Sequence, residues 1–210
     1  MLDFHNFILF ALASLMLNIT PGPDMLYVIS RSTGQGVAAG IVSALGICVG
    51  CLVHILAAMF GISAILMESA TAFQVIKWAG ALYLIYLGIQ TLRNAGGQLP
   101  LQQNVPEKPL WILFRQGVIT NVLNPKVAIF FLAFLPQFVQ PEQGKVALQI
   151  LLLGIWFDFS GMIVLVGVAL LFGRMGDWLL RYPGFVRWQE KFTGAILLGL
   201  GLRLAFLEKK

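Results

Sequence analysis

Charge is what this sequence has least of. Asp, Glu, Lys and Arg make up 11% of the 210 residues against 59% hydrophobic ones, and the mean hydropathy is +0.86. A soluble domain carries about 25% charged residues, so this chain lacks the polar surface that would solvate a globule. Also missing are the HExxH, GxSxG and P-loop patterns, which leaves hydrolysis and ATP drive without support and points away from an enzyme. No polar stretch is long enough for a separate domain. The longest connection, 93–111, holds Gly96, Gly97, Pro100, Pro106 and Pro109 and reads as a flexible linker. The formal charge is +5, but the basic residues sit at the ends of apolar runs, where lipid headgroups are better partners than nucleic acid.

What is present is apolar sequence in long runs. Six of them, 4–30, 36–66, 71–92, 112–138, 146–172 and 192–207, are long enough to cross a bilayer core of roughly 30 Å as helix. They are continuous, whereas barrel strands alternate over about ten residues, so the expected class is an all-α membrane protein with six transmembrane helices. Ala11-Leu12-Ala13 imitates a signal-peptidase site, yet Asp3 and His5 precede it without Lys or Arg, so the first helix is read as uncleaved. Connections on one side carry Arg31, Arg93, Lys108, Arg115, Arg174, Arg181, Arg187 and Lys191. The other side has Lys77, Lys145, Lys209 and Lys210, which predicts a cytoplasmic first group and periplasmic termini.

The runs repeat. Lys77-Trp78-Ala79-Gly80-Ala81-Leu82 at the third span matches Lys191-Phe192-Thr193-Gly194-Ala195-Ile196 at the sixth, and Asn18-Ile19-Thr20-Pro21 in the first matches Asn121-Val122-Leu123-Asn124-Pro125 in the fourth. Three helices per half is an odd number, so the second half enters from the opposite side. The expected architecture is a single domain of two inverted three-helix repeats, 1–93 and 112–210, joined by 94–111. Inverted repeats with interrupted helices point to a secondary transporter with its site near the midplane.

The interruptions carry the chemistry. Pro21 and Pro23 flank Gly22 within the first span, and each proline removes an amide donor and crowds the preceding turn, so helix 1 breaks there; Pro125 breaks helix 4. Broken backbone in hydrocarbon needs protein or a wet cavity around it. Asn18 and Thr20 are placed to satisfy part of it, with Asn121 and Asn124 at the second break. Lys126 follows Pro125, and its ammonium needs a partner: Asp24, Asp158 or a substrate carboxylate. The substrate-binding candidates are therefore Asn18, Thr20, Pro21, Gly22, Pro23, Asn121, Asn124, Pro125 and Lys126. Asp24, just past the first break, and Asp158, inside the fifth span, are proton-coupling candidates, because a carboxylate in a membrane is either paired or able to exchange protons. His54 in the second span is a proton-coupling candidate as a relay, although a single intramembrane histidine is more often a helix-to-helix hydrogen-bonding group.

Cys48, Cys51 and His54 share a three-residue spacing. They fall one protein ligand short of a closed zinc set, and no second cysteine pair exists to shuttle electrons, so packing is the better reading and neither metal nor cofactor is expected. An intramembrane dithiol oxidoreductase using Cys48 and Cys51 stands as one alternative, a passive metabolite channel as another. Gly36, Gly40, Gly46, Gly50, Gly61, Gly80 and Gly88 permit close helix contact, within the chain or between copies in a homo-oligomer.

Three segments together resemble one family: Asn18-Ile19-Thr20-Pro21-Gly22-Pro23-Asp24, Gly80-Ala81-Leu82-Tyr83-Leu84-Ile85-Tyr86-Leu87-Gly88, and Asn124-Pro125-Lys126 followed by Phe131-Leu132-Ala133-Phe134-Leu135-Pro136-Gln137-Phe138. The chain is similar over its whole length to the LysE/RhtB family of amino-acid exporters, and most to its homoserine/threonine branch. That resemblance implies efflux of an amino acid or close derivative across the bacterial inner membrane, driven by the proton gradient, with both breaks lining the pathway. The expected mechanism is alternating access. A zwitterion sits between the breaks, its carboxylate on Lys126 and free N–H groups, its ammonium on Asn18, Thr20 or Asn121 and free carbonyls.

Overall fold

The computed structural model describes residues 4–68, 70–93 and 106–180, together with helical positions between 188 and 202. Every element named among them is helical. α1 (Phe4–Ile19) stops before Pro21, and α2 (Pro23–Gln35) begins on Pro23, whose missing amide has no helical acceptor at that position anyway. The two meet at a 49° bend. Gly36, at φ 84°, turns the chain into α3 (Val37–Glu68), and α4 (Ala70–Arg93) follows.

The second half opens with α5 (Leu110–Val122), bent by 44° from the segment that starts at Pro125. Asn124 caps α6 (Pro125–Ile129) by accepting the Lys126 N–H at 3.0 Å. Both breaks expected from the prolines are therefore present. Beyond the second, however, the uninterrupted helix expected as far as residue 138 gives way to a π-helical turn at Phe130–Phe134 and a 3-10 turn at Leu135–Phe138. Pro136 has no amide to continue an α-helical ladder, so the hydrogen-bond register changes ahead of it. A short 3-10 turn at Pro141–Gln143 leads through Gly144 and Lys145, both at positive φ, into α7 (Val146–Leu180).

Val37–Gly61 of α3 and Val146–Arg174 of α7 are each long and apolar enough to cross a membrane, and each bent pair adds another crossing if it counts as one span. α4 coincides with the expected third span. The expected sixth, 192–207, falls only partly among the described residues. Polarity is distributed inside out. Leu45, Val49, Leu52, Val53, Leu56 and Phe60 of α3 and Leu152, Ile155, Phe159 and Ile163 of α7 face outward, while Ser14, Thr20, Asp24, Ser43, Asn121 and Asn124 are buried. That is the arrangement lipid selects, since hydrocarbon takes apolar side chains and polar groups must find protein.

Contacts run in opposite sequence directions along three pairs of elements. α2 lies on α5, with Asp24 at Asn121 and Tyr27 at Leu113 and Gln116. α3 lies on α7, with Gly40 at Ala169 and Ile55 at Gly154. α4 lies on the last helical stretch, with Gly88 at Gly194 and Ala81 at Gly201. Glycines make close approaches possible both here and elsewhere: Gly88 admits backbone of the last stretch onto α4, and Gly46 and Gly50 admit the backbone of α5 onto α3. Four of the glycine positions offered for association are thus already used within the chain; Gly61 meets nothing within 4 Å, and the surroundings of Gly80 lie outside the described residues.

Two apolar clusters result. One joins Phe10 and Leu17 of α1, Phe130, Phe131 and Phe134 of the π turn and Phe157 of α7, with the Phe130 and Phe157 rings 4.6 Å apart. The other joins Met25, Val28 and Ile29 of α2, Ala44 and Ile47 of α3, and Leu165 and Ala169 of α7. The two helix breaks lie between them.

Candidate functional site

The breaks face each other and exchange side chains. Ending α1 at Ile19 leaves its last carbonyls without helical donors. Lys126 of α6 supplies them, its Nζ donating to Thr20 O at 2.9 Å and to Leu17 O at 3.1 Å. The negative end of a helix dipole suits an ammonium. Lys126 was expected to find a carboxylate; Asp24 is near enough to act on its charge, but its two hydrogen bonds go to main-chain oxygens at the Pro-Gly-Pro break, one of which, Leu17 O, also accepts the Thr20 N–H at 3.1 Å. Gly22 allows this approach, because a Cβ there would stand 3.1 Å from Nζ and 3.3 Å from Cε.

In the other direction, Asp24 in the first turn of α2 receives the Asn121 amide, Nδ2 to Oδ2 at 2.8 Å. Its position at the positive end of α2 favours the carboxylate. Its second oxygen, Oδ1, makes no hydrogen bond of ordinary geometry, and neither do Asn121 Oδ1 and Asn124 Nδ2, all three deeply buried, although the Asn124 amide lies close enough to act on the Asp24 carboxyl. His54 of α3 reaches the Asn121 carbonyl at 2.9 Å through Nε2. A carbonyl only accepts, so Nε2 carries the hydrogen, and the His54 ring stacks near Phe131 at 6.1 Å.

Asn18 and Thr20 are engaged elsewhere. Asn18 donates both amide hydrogens to α7, to Phe157 O and to Ser160 Oγ at 3.0 Å each, and Gly161 is what lets it lie so close. The Thr20 hydroxyl donates to Met16 O at 2.7 Å, so this residue offers its carbonyl, to Lys126, rather than its side chain. Pro21, Gly22, Pro23 and Pro125 contribute by shaping the breaks.

A cavity of about 30 Å³ remains between the apolar clusters, roomy enough to admit water. Its polar wall is Asn18, Asp24, Asn121, Lys126 and Asp158; Met25, Val127, Phe157 and Leu165 form the apolar wall, and Cys48 and Cys51 complete it beside Asp158. Both thiols are free, and Cys48 Sγ lies 3.3 Å from Met162 Sδ. Among the described residues no group of three or more His, Cys, Asp or Glu side chains is placed to hold a metal.

Sequence reasoning overlooked two features. Phe157, Ser160 and Gly161 surround Asp158 on α7 and receive Asn18; the small residues one turn beyond an intramembrane carboxylate were the available signal. The other is a polar cluster where α2 meets the start of α5. Arg31 donates to Gln116 at 3.3 Å, to Gln35 and the Pro106 carbonyl at 3.4 Å, and lies 5.6 Å from the Tyr27 ring centre.

Comparison with known proteins gives one family model, described as LysE type translocator, which matches residues 15–208. The chain is 31% identical over 204 residues to the homoserine/homoserine lactone efflux protein of Salmonella typhimurium, covering 97% of this chain and 98% of that one. It is 24% identical over 210 residues to the leucine efflux protein of the same species, covering 97% and 96%. A membrane protein of Vibrio cholerae is 32% identical over 206 residues, covering 97% and 98%. No solved structure matches.

Proposed function

Because the chain belongs to the LysE type translocator family, we propose that it exports a small amino acid or close derivative, homoserine- or threonine-like, across the bacterial inner membrane in exchange for protons. It is a multi-pass membrane transporter and not an enzyme, so the dithiol oxidoreductase alternative falls away. The substrate class follows the relatives named for homoserine, its lactone and leucine.

One observation carries the site. Unpaired polar atoms of Asp24, Asn121 and Asn124 are buried where two broken helices oppose each other. Such atoms are rare in native structures and mark a place where something polar is received. The antiparallel packing of α2 on α5, α3 on α7 and α4 on the last stretch supports two inverted repeats of three helices. The loop charges support a cytoplasmic Arg-rich side and periplasmic termini.

The cargo sits between the breaks, among Asn18, Asn121, Asn124, Lys126 and the main chain around Thr20–Gly22 and Asn124–Pro125. The cavity is small and has an apolar cluster on either side, so one half rocks against the other to admit and release the cargo. Asp24 and Asp158, with His54 bonded to the main chain of Asn121, take up and return the proton. A proton falling through about 150 mV releases about 3.5 kcal/mol, enough for a several-hundredfold gradient of a neutral solute.

The test is purified protein in liposomes loaded in turn with homoserine, threonine and leucine under an imposed pH step. Efflux that follows the pH step and disappears in Asp24→Asn and Asp158→Asn is expected. If none of the three moves, the exporter reading fails; if they leak without regard to pH, the protein is a passive channel.

A further inference from the structure

Lys126 and the Asp24–Asn121 pair face one cavity but differ in what they have left to offer. The Lys126 ammonium already holds two carbonyls of the opposite half. It is seated against bare backbone at Gly22, where an added Cβ would press on its tip at 3.1 Å. Asp24 and Asn121 are 9% and 2% exposed, and their mutual bond uses Oδ2 of one and Nδ2 of the other. Their atoms left without a hydrogen bond, Asp24 Oδ1 and Asn121 Oδ1, are both acceptors, and the nearby donor left over, Asn124 Nδ2, lies outside the cavity wall and acts on the Asp24 carboxyl. Leaving a buried acceptor unpaired forfeits its hydration.

With Asp24 ionised, an ammonium is the ligand group best matched to two neighbouring acceptors, since it brings several N–H donors and a positive charge. A third acceptor group, the Asp158 carboxylate, lines the same cavity from α7. A substrate carboxylate laid on this wall would meet like charge and lone pairs. Lys126, the cation among the residues lining this cavity, has its hydrogen bonds committed to the carbonyls of Leu17 and Thr20.

We propose that the site reads its cargo through the cargo's ammonium, received by Asp24 Oδ1 and Asn121 Oδ1, and that Lys126 is a positioning residue which clasps one break to the other. This rests on the exporter reading. It reverses the expectation that Lys126 anchors the cargo's carboxylate. The carboxylate is then dispensable for recognition. Amino-acid esters, amides and lactones of similar size enter the same site, and N-acylated amino acids, which keep the carboxylate and lose the ammonium, do not.

The experiment uses the full-length protein in liposomes and whichever of labelled homoserine, threonine or leucine it carries fastest, competed by that amino acid's methyl ester and by its N-acetyl derivative. The ester should compete within about threefold of the parent, and the N-acetyl compound at least about thirtyfold more weakly, the scale of a lost charge-assisted hydrogen bond. An N-acetyl compound that competes as well as the ester overturns the proposal. Absence of flux for all three amino acids fails the exporter reading itself and needs no competitor to be seen.

Lys126→Met separates clasp from anchor. A clasp lost lowers the melting temperature and slows parent and ester flux alike, leaving their affinity ratio within about twofold. An anchor lost weakens the parent alone and raises that ratio in favour of the ester. Should Lys126→Met not fold, Lys126→Arg, which retains charge and donors, must restore stability with the ratio again unchanged; a selective loss of parent affinity there also overturns the assignment.

Discussion

Replacing Gly50 by alanine joins the packing of α3 to the geometry of the site. A methyl group at Gly50 would lie 2.7 Å from the Val118 carbonyl oxygen, 2.9 Å from Asn121 Cβ and 3.3 Å from Val118 Cα. Ordinary contact begins near 3.4 Å, so α5 must retreat by roughly half an ångström. The obstructing atoms are main chain or bonded directly to it, with no flexible tip to swing aside. Overpacking of this kind costs about 1–3 kcal/mol. Asn121 travels with α5, so its 2.8 Å bond to Asp24 lengthens as well. A hydrogen bond to a charged group is worth about 1.5–3 kcal/mol, and with the two effects overlapping, a loss of about 2–4 kcal/mol is expected. Gly167→Ala is the control, since a methyl there meets nothing within 4 Å and shares alanine's gain in helix propensity of about 1 kcal/mol. Thermal unfolding in detergent and amino-acid flux in liposomes are measured for both variants. If Gly50→Ala melts with Gly167→Ala and transports at the wild-type rate, the α3–α5 seam is not what fixes Asn121.

Other substitutions probe single contacts. Asn124→Ala removes the side-chain cap on the Lys126 amide and should cost about 1 kcal/mol in thermal unfolding, with slowed transport because α6 starts less firmly. Arg31→Met strips Gln116, Gln35 and the Pro106 carbonyl of their donor; a drop of about 1–2 kcal/mol is expected by the same assay, and no change would make the cluster ornamental. Cys48→Ser should leave flux within about twofold, because the thiol packs against Met162; a tenfold loss would reinstate a chemical role for sulfur.

The fold was legible in sequence wherever one residue type acts alone. Pro21, Pro23 and Pro125 remove donors whatever surrounds them, so both breaks could be placed to the residue. The apolar run at 36–66 became α3 (Val37–Glu68), but the run at 146–172 continues as helix to Leu180. Hydropathy marks where a helix leaves the bilayer and is silent about where it ends. The turn changes at Phe130–Phe138 were missed because Pro136 near the end of a span reads as a terminator, and its effect on the turn before it depends on the aromatic packing there. Partners were the least legible part. Asn18 was assigned to the first break because it is four residues from Gly22, yet its amide crosses to Phe157 and Ser160, far along the chain. Lys126 invited a carboxylate by charge alone, whereas the carbonyls it holds are exposed by a break in the other half.

The reciprocal exchange at the breaks has a consequence for synthesis. Asp24 emerges from the ribosome about a hundred residues ahead of Asn121 and Lys126, so during insertion its carboxylate waits in the bilayer without either. A lone acidic group at that depth is worth about 2.5–3.5 kcal/mol against insertion. The nascent first half therefore carries that cost against the gain from its apolar residues until the second half arrives to relieve it.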